Sequence, residues 1–235
     1  MSSVFRFKYF DIYQENASLK VGTDAMVLGA FCSFPEAKTA LDVGTGTGVL
    51  ALMVAQTHPN LVIDALDVDE QNCEVAKYNV ENSSFAKQIT VICEDIFTFC
   101  PNKKYDFIFS NPPFHLEALK NKEDRISRAK HFHEEEIDSF VKKLSELPSE
   151  NGKIVMIFSC DGLLELKKSF AKHNLFMNQI ISIYGKPNNK KRVVITCSKL
   201  RSKVIEKDFV IRDLNGNYSE EYREITKEFH GVTLG

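Results

Sequence analysis

TALDVGTGTGVLALMVAQT, residues Thr39 to Thr57, contains a complete structural unit. Thr39 to Val43 is a short apolar run of the kind that forms a buried strand, and Val49 to Thr57 has a helical pattern. Between them Gly44, Gly46 and Gly48 alternate with threonines, so the backbone can turn tightly and come close to a ligand at the helix N-terminus. Strand, glycine turn and helix together form the first unit of a doubly wound α/β fold. Leu61 to Leu66 supplies a second strand, which Asp67 ends 23 residues after Gly44. An acid at that point is placed to accept hydrogen bonds from the two hydroxyls of a ribose. Asp69 or Glu70 then opens a helix that runs to Val80. Gln88 to Cys93 reads as a third strand, with Glu94 and Asp95 at its end, suited to meet the edge of an adenine ring.

The fourth strand is the most unusual. Tyr105 to Phe114 reads YDFIFSNPPF, an alternating apolar run that stops at an asparagine, two prolines and an aromatic. Neither proline can donate to a ladder, so the strand ends at Asn111, which the following proline holds extended or in a turn. The result is a stiff platform offering an amide (Asn111), carbonyls (Pro112, Pro113) and a flat ring (Phe114). It can accept two hydrogen bonds from a planar amino group and stack on the ring that carries it.

Downstream, Glu136 to Leu147 and Gly162 to His173 read as helices around a fifth strand, Gly152 to Ser159. Phe176 to Tyr184 and Arg192 to Lys199 follow as consecutive strands joined by a turn-rich segment, an antiparallel hairpin. A dinucleotide dehydrogenase continues with parallel strands, whereas a hairpin closing the sheet is a methyltransferase feature. Lys203 to Ile211 reads as one more strand, and Ser219 to His230 as a short helix with Tyr222, Ile225 and Phe229 inward. Upstream of the core, Phe5, Phe7 and Tyr9 suggest a strand, Asp11 to Ser18 a loop, and Leu19 to Phe31 a helix capped by Thr23 or Asp24.

With 235 residues, 43% hydrophobic and 26% charged, the chain suffices for one domain with a single large core. Six scattered cysteines without a C-x-x-C pair fit structural thiols in a reducing compartment. No apolar run reaches the roughly 18 residues of a membrane span, and Met1 to Phe10 lacks the apolar centre of a signal peptide. A cytoplasmic protein with no membrane partner is expected. The net charge of −2 is not that of a typical nucleic-acid binder, but the positive charge is clustered. Lys120, Lys122, Arg125, Arg128 and Lys130 crowd the segment after the platform, and Lys186, Lys190, Lys191 and Arg192 crowd the hairpin turn.

A glycine turn alone serves several nucleotide cofactors. Here the spacing is G-x-G-x-G, acids end the second and third strands, and N-P-P-F ends the fourth. This set resembles the S-adenosylmethionine-dependent methyltransferases of the Rossmann-like class, in the amino-methylating branch marked by [N/D/S]-P-P-[Y/F/W]. The N-terminal F-x-F-K-x-F, the segment LKVGTDAMVLGAF and the closing NYSEEY at Asn217 to Tyr222 are similar to the bacterial tRNA adenine-N6 methyltransferases. That family modifies the adenine beside the anticodon of valine tRNA.

The resemblance implies a seven-stranded, mostly parallel sheet with a C-terminal antiparallel hairpin and helices on both faces. Residues 1–235 would form one methyltransferase domain: an extension packing on the pocket (1–38), the core (39–200), and a closing strand and helix (201–235). It also implies site roles. Gly44, Gly46 and Gly48 would face the methionine part of the cofactor, and Asp42 would help hold its amino group. Asp67 would take the ribose and Asp95 the adenine amino group, with Lys20 and Thr23 flanking the cofactor or target pocket. Asn111, Pro112 and Phe114 match the catalytic motif, the phenylalanine retaining a stacking face where a tyrosine is common. S-adenosylhomocysteine would be the product, no metal would be needed, and the basic clusters would grip tRNA phosphates.

Other readings are weaker. His131, His133 and Glu134 to Glu136 resemble a metal cluster, but acids before a helix ordinarily compensate its dipole, and H-x-H has no matched third ligand. No serine or cysteine sits in a nucleophile elbow. The N-P-P motif also serves enzymes acting on DNA or ribosomal RNA bases and on protein glutamine. The last of these usually carry a separate helical domain before the cofactor fold, for which the residues before Thr39 leave little room. A noncatalytic nucleotide-binding module is the alternative from a different class.

Overall fold

The computed structural model describes residues 4–15, 17, 20–112 and 123–231, with residues 123–133 described by backbone alone. The platform's Pro113 and Phe114, and Lys120 and Lys122, therefore lie outside the described residues. At the N-terminus β1 (Val4–Arg6) pairs with β2 (Asp11–Tyr13) in a small antiparallel hairpin, followed by α1 (Thr23–Phe31). The stretch expected to be a loop thus contains a strand. Three residues with one buried side chain, Ile12, are too short a pattern to read without the partner that pairs them.

The core alternates as expected: β3 (Thr39–Val43), α2 (Val49–Thr57), β4 (Val62–Asp67), α3 (Glu70–Glu81), β5 (Ile89–Cys93) and β6 (Tyr105–Ser110). It continues with α4 (Glu123–Glu146), β7 (Pro148–Ser159), α5 (Leu163–Lys172), the hairpin β8 (Phe176–Tyr184) and β9 (Lys190–Ser198), then β10 (Ile205–Val210) and α6 (Glu220–Thr226). The sheet order is β10-β8-β9-β7-β6-β3-β4-β5. It has eight strands rather than seven, because β10 adds itself in parallel to β8 at the edge. Strand β9 runs antiparallel to both β7 and β8, so the closing hairpin is present. Helix α4 starts at Glu123, well before the expected Glu136, and absorbs much of the first basic cluster.

Two buried clusters lie on opposite faces of the sheet. One gathers α1, α2, Val80 of α3 and inward side chains such as Ala40, Ala65, Phe107 and Phe109. The other gathers Ile137, Phe140, Val141 and Leu144 of α4 and Leu166 and Phe170 of α5, with Leu41, Leu66 and Ile108 from the sheet. The alternation along β3 and β6 between these clusters is the period-2 signature that the sequence carries. On the second face Asp138 accepts from Ser169, Lys172 and His173, clasping α4 to α5.

The N-terminal hairpin is tied in by polar contacts. Phe7 bridges to His230, and the Lys8 amide donates to the Phe229 carbonyl at 2.9 Å, so both ends of the chain meet. Asn79 on α3 does more: its Oδ1 accepts from the Tyr13 amide (2.8 Å), and its Nδ2 donates to the carbonyls of Tyr13 and Thr47 (both 2.9 Å). One buried amide joins β2, α3 and the glycine loop. Asn79→Ala would leave three backbone groups unpaired, and it should lower unfolding free energy by about 1–3 kcal/mol in a urea titration.

Candidate active site

Strands β5, β4, β3, β6 and β7 are mutually parallel, so their C-terminal ends share one edge. After β3 the chain builds outward to β4 and β5, then returns to place β6 on the other side of β3. The reversal leaves a crevice between the ends of β3 and β6, the usual ligand position in open α/β sheets. Val43 of β3 is in register with both Leu66 of β4 and Ser110 of β6. Gly44, Asp67 and Asn111 therefore lie one step beyond three aligned residues on adjacent strands.

The glycine loop has the geometry that its spacing demands. Gly44, Gly46 and Gly48 have φ of 75°, 56° and 80°, a left-handed region costly to side chains. A Cβ at Gly44 or Gly46 would meet nothing within 4 Å, so both open onto free space. At Gly48, the N-cap of α2, a Cβ would rest against Ala76 of α3. The Gly44 and Thr45 amides donate to the Leu66 carbonyl at 2.8 and 2.9 Å. The Gly46 amide donates to Asp67 Oδ2 at 2.8 Å. Asp67 Oδ1 accepts from the Asp69 amide (3.0 Å) and from Asn72 Nδ2 (3.3 Å). Asp69 in turn caps α3 by accepting from the Gln71 and Asn72 amides.

Asp42 is fully buried beneath this loop. Its Oδ2 accepts from the Thr45 hydroxyl at 2.7 Å, while Oδ1 has no partner. Burial pushes its carboxyl up to about 7, opposed in part by the Thr45 hydrogen bond. Past β5, Asp95 is half-buried and accepts from the Phe97 amide at 2.9 Å, closing a turn. Two apolar side chains that the sequence reading left unassigned flank these acids. Val68 is 67% exposed and Phe97 48% exposed, on the same edge. An apolar residue one place after Asp67 and two places after Asp95 was the signal available for them.

Asn111 is half-buried and Pro112 buried beyond β6, where the Ser110 hydroxyl donates to the Val43 carbonyl at 2.8 Å. Helix α1 brings the N-terminal segment to the same edge. Arg192 of β9 is in register with Ser159 at the end of β7, and its Nε donates to Asp24 at 2.9 Å. Thr23 is exposed at the helix start and Lys20 is exposed just before it. Neither Thr23 nor Asp24 caps α1: Gly22 is the N-cap, with no side-chain bond, because Asp24 faces Arg192. Arg192 is thereby committed to an ion pair, while Lys186, Lys190 and Lys191 stay exposed at the tip of the β8–β9 hairpin. Arg125, Arg128 and Lys130 fall on the N-terminal half of α4. Among the described residues no group of acids, histidines and cysteines is arranged to hold a metal.

Solved structures that share this architecture include methyltransferases. A predicted O-methyltransferase from Agrobacterium tumefaciens superposes with a TM-score of 0.69 at 16% identity, covering 88% of this chain and 96% of its own. A ribosomal protein L11 methylase from Lactobacillus delbrueckii subsp. bulgaricus gives 0.59 at 15% identity, over 81% and 84%. This likeness is one of fold, and it gives the chain the Rossmann-like architecture that these methyltransferases share. The family model of the methyltransferase small domain matches residues 17–157. Proteins named tRNA1(Val) (adenine(37)-N6)-methyltransferase align over nearly the whole length. That of Bacteroides thetaiotaomicron is 32% identical over 96% of both chains, and that of Haemophilus influenzae 34% identical over 97% of this chain and 98% of its own. The chain belongs to the family of these tRNA1(Val) adenine-N6 methyltransferases, within the methyltransferase small domain family.

A carboxyl raised by burial binds its proton more tightly folded than unfolded, so Asp42 favours folding least once ionised. Between pH 3.8, its ordinary value, and about 7, rising pH should cost on the order of 4 kcal/mol through this group. Asp42→Asn should remove that component: the wild-type minus variant difference in unfolding free energy should fall across this window and level off above it.

Proposed function

We propose that this protein transfers the methyl group of S-adenosylmethionine to the N6 amino group of an adenine in tRNA, the adenine beside the anticodon of a valine tRNA. The observation that carries the reading is that the glycine loop, Asp67, Asp95 and Asn111 stand at the C-terminal ends of neighbouring parallel strands on one edge of the sheet, around the β3–β6 reversal. Substrate identity is supported by the names of the full-length relatives.

The residues present fit the cofactor. Gly44 and Gly46 leave a cradle that a Cβ would fill, next to Asp67. The partnerless Oδ1 of Asp42 offers a negative site beneath the loop, and a nearby ammonium group would draw its carboxyl back down. Asp67 would accept from ribose hydroxyls and Asp95 from an adenine amino group, with Val68 and Phe97 as apolar walls. Lys20 and Thr23 would flank the pocket as part of an N-terminal extension of a single domain. When bound, the cofactor supplies an electrophilic sulfonium methyl group.

The chain's own task is to make a poor nucleophile competent. The N6 lone pair of adenine is delocalised into the ring. If Asn111 Oδ1 and the Pro112 carbonyl each accept one amino hydrogen, the nitrogen can become more tetrahedral, and its lone pair is freed for the methyl group. Positioning and electrostatics then carry much of the barrier, with no strong base required. The base must leave its stack to enter, and Phe114 would replace the lost stacking partner. Lys186, Lys190 and Lys191, on the same edge as Asn111, are proposed to hold tRNA phosphates, with the basic first half of α4 as a second contact. Among the described residues no helix is long and apolar enough to cross a membrane, and a substrate such as tRNA supports a cytoplasmic location.

Incubating the protein with cofactor and an unmodified valine tRNA transcript should yield N6-methyladenosine on nucleoside mass spectrometry; transfer only to DNA, ribosomal RNA or glutamine would reject the substrate. Asn111→Ala should lower the single-turnover rate by at least about a hundredfold and leave cofactor affinity nearly intact. Asp67→Ala should instead weaken cofactor binding measured by calorimetry.

A further inference from the structure

Behind Asp67 lies a pair of thiols that the transfer reaction does not use. Cys93 ends β5 and is in register with Asp67 of β4. Along β5, Val91 packs toward the α2 face and Ile92 toward the opposite one, so alternation turns Cys93 to the face that α3 covers. Cys73 sits in the first turn of α3, and its Sγ donates to the Asp67 carbonyl at 3.4 Å. Asp67, whose carbonyl Cys73 contacts, is the residue in register with Cys93, so both thiols lie against the same end of β4. Their accessibility differs sharply: Cys73 is 2% exposed, while Cys93 is open to solvent. Burial, reinforced by Cys93, pushes the Cys73 thiol up to about 12, so Cys73 stays protonated and the accessible partner reacts first.

We propose that Cys93 and Cys73 form a redox-modification site for hydroperoxides, and that their disulfide weakens cofactor binding in the adjoining cleft. The Cys93 thiolate attacks a peroxide oxygen, giving a sulfenic acid while the peroxide is reduced and leaves as hydroxide or alkoxide. The Cys73 thiol then attacks the sulfenic sulfur, the S–S bond forms, and water leaves with the Cys73 proton. The disulfide takes away the S–H that donates to the Asp67 carbonyl. That carbonyl also accepts from the Glu94 amide at 3.0 Å, so one oxygen links the turns that carry Asp67 and Asp95. This consequence rests on the proposed role of Asp67 at the ribose. By reciprocity, bound cofactor must disfavour the disulfide by the same factor.

The test uses the full chain, reduced and then exposed to hydrogen peroxide. Peptide mapping should find the Cys73 and Cys93 peptides joined, two hydrogens lighter than the separate pair, and separated again by dithiothreitol. Calorimetry with S-adenosylmethionine should show about fivefold or greater weakening on oxidation. The loss should reverse with dithiothreitol and be absent in peroxide-treated Cys93→Ser. Unjoined peptides, joined peptides with unchanged affinity, or an equal loss in Cys93→Ser through exposed Cys100 would overturn the proposal. Unchanged affinity of reduced Asp67→Ala would reject the ribose assignment instead, and the crosslink result would stand independently of it.

Discussion

The Asp67 carboxylate is the joint on which the cleft depends. It accepts the Gly46 amide on one oxygen and the Asp69 amide and Asn72 side chain on the other, so it fastens the glycine loop to the end of β4 and the start of α3. Gly46 is held in a left-handed conformation with open space before it, and its amide would otherwise point into the crevice unpaired. A carboxylate offers about four acceptor directions, and three are already in use. A ribose with two hydroxyls would then need one of these bonds to yield. The longest, from Asn72 at 3.3 Å, comes from a side chain that can swing away, whereas the two backbone amides cannot. With Asp67 in its proposed place at the ribose, Asn72 would then shape cofactor affinity although no motif marks it.

The parallel sheet converts this local joint into a site. Register between Val43, Leu66 and Ser110 aligns three strand ends, and the chain reverses direction of growth between β3 and β6 beside them. The loop can be rigid there because the elements behind it are buried on all sides. Helix α2 is buried from Val49 through Ala55, with no exposed stripe to distinguish one face from another. Such a helix has no freedom to rotate, so Gly48 at its start is fixed in place.

Regular alternation and glycine spacing made β3 and α2 readable to the residue and β6 to within one, since burial there follows directly from local pattern. What the sequence concealed depended on partners far along the chain. Strand β2 exists because β1 lies beside it, and its inner end is held by Asn79, 66 positions away. Asp24 has the composition of a helix cap, yet Arg192, 168 positions later, takes its carboxylate. The start of α4 was obscured by its charge, because a basic run reads as a solvated surface whether or not it is helical. Cys93 sits in an apolar run and looks buried, but it ends an edge strand and stays open to solvent. The Asn111 and Asp67 positions were legible because each follows a marked local break, the double proline behind Asn111 and the end of an apolar run at Asp67.

The Arg192 ion pair also sharpens how a chain with a net charge of −2 could hold an RNA. At physiological ionic strength charges beyond about 8 Å are largely screened, so a phosphate responds to its immediate neighbours rather than to the whole molecule. Arg192 is half-buried and neutralised by Asp24, which removes it from the count of free cations. Its contribution becomes mechanical: it locks the start of α1 to the β8–β9 hairpin just below its tip, which carries Lys186, Lys190 and Lys191. A lysine cluster on a free loop would grip a phosphate anywhere. On a hairpin pinned beside the strand ends, the same charges would set the distance between a bound backbone and its base, and on the proposed function that distance would decide whether an extruded adenine reaches Asn111.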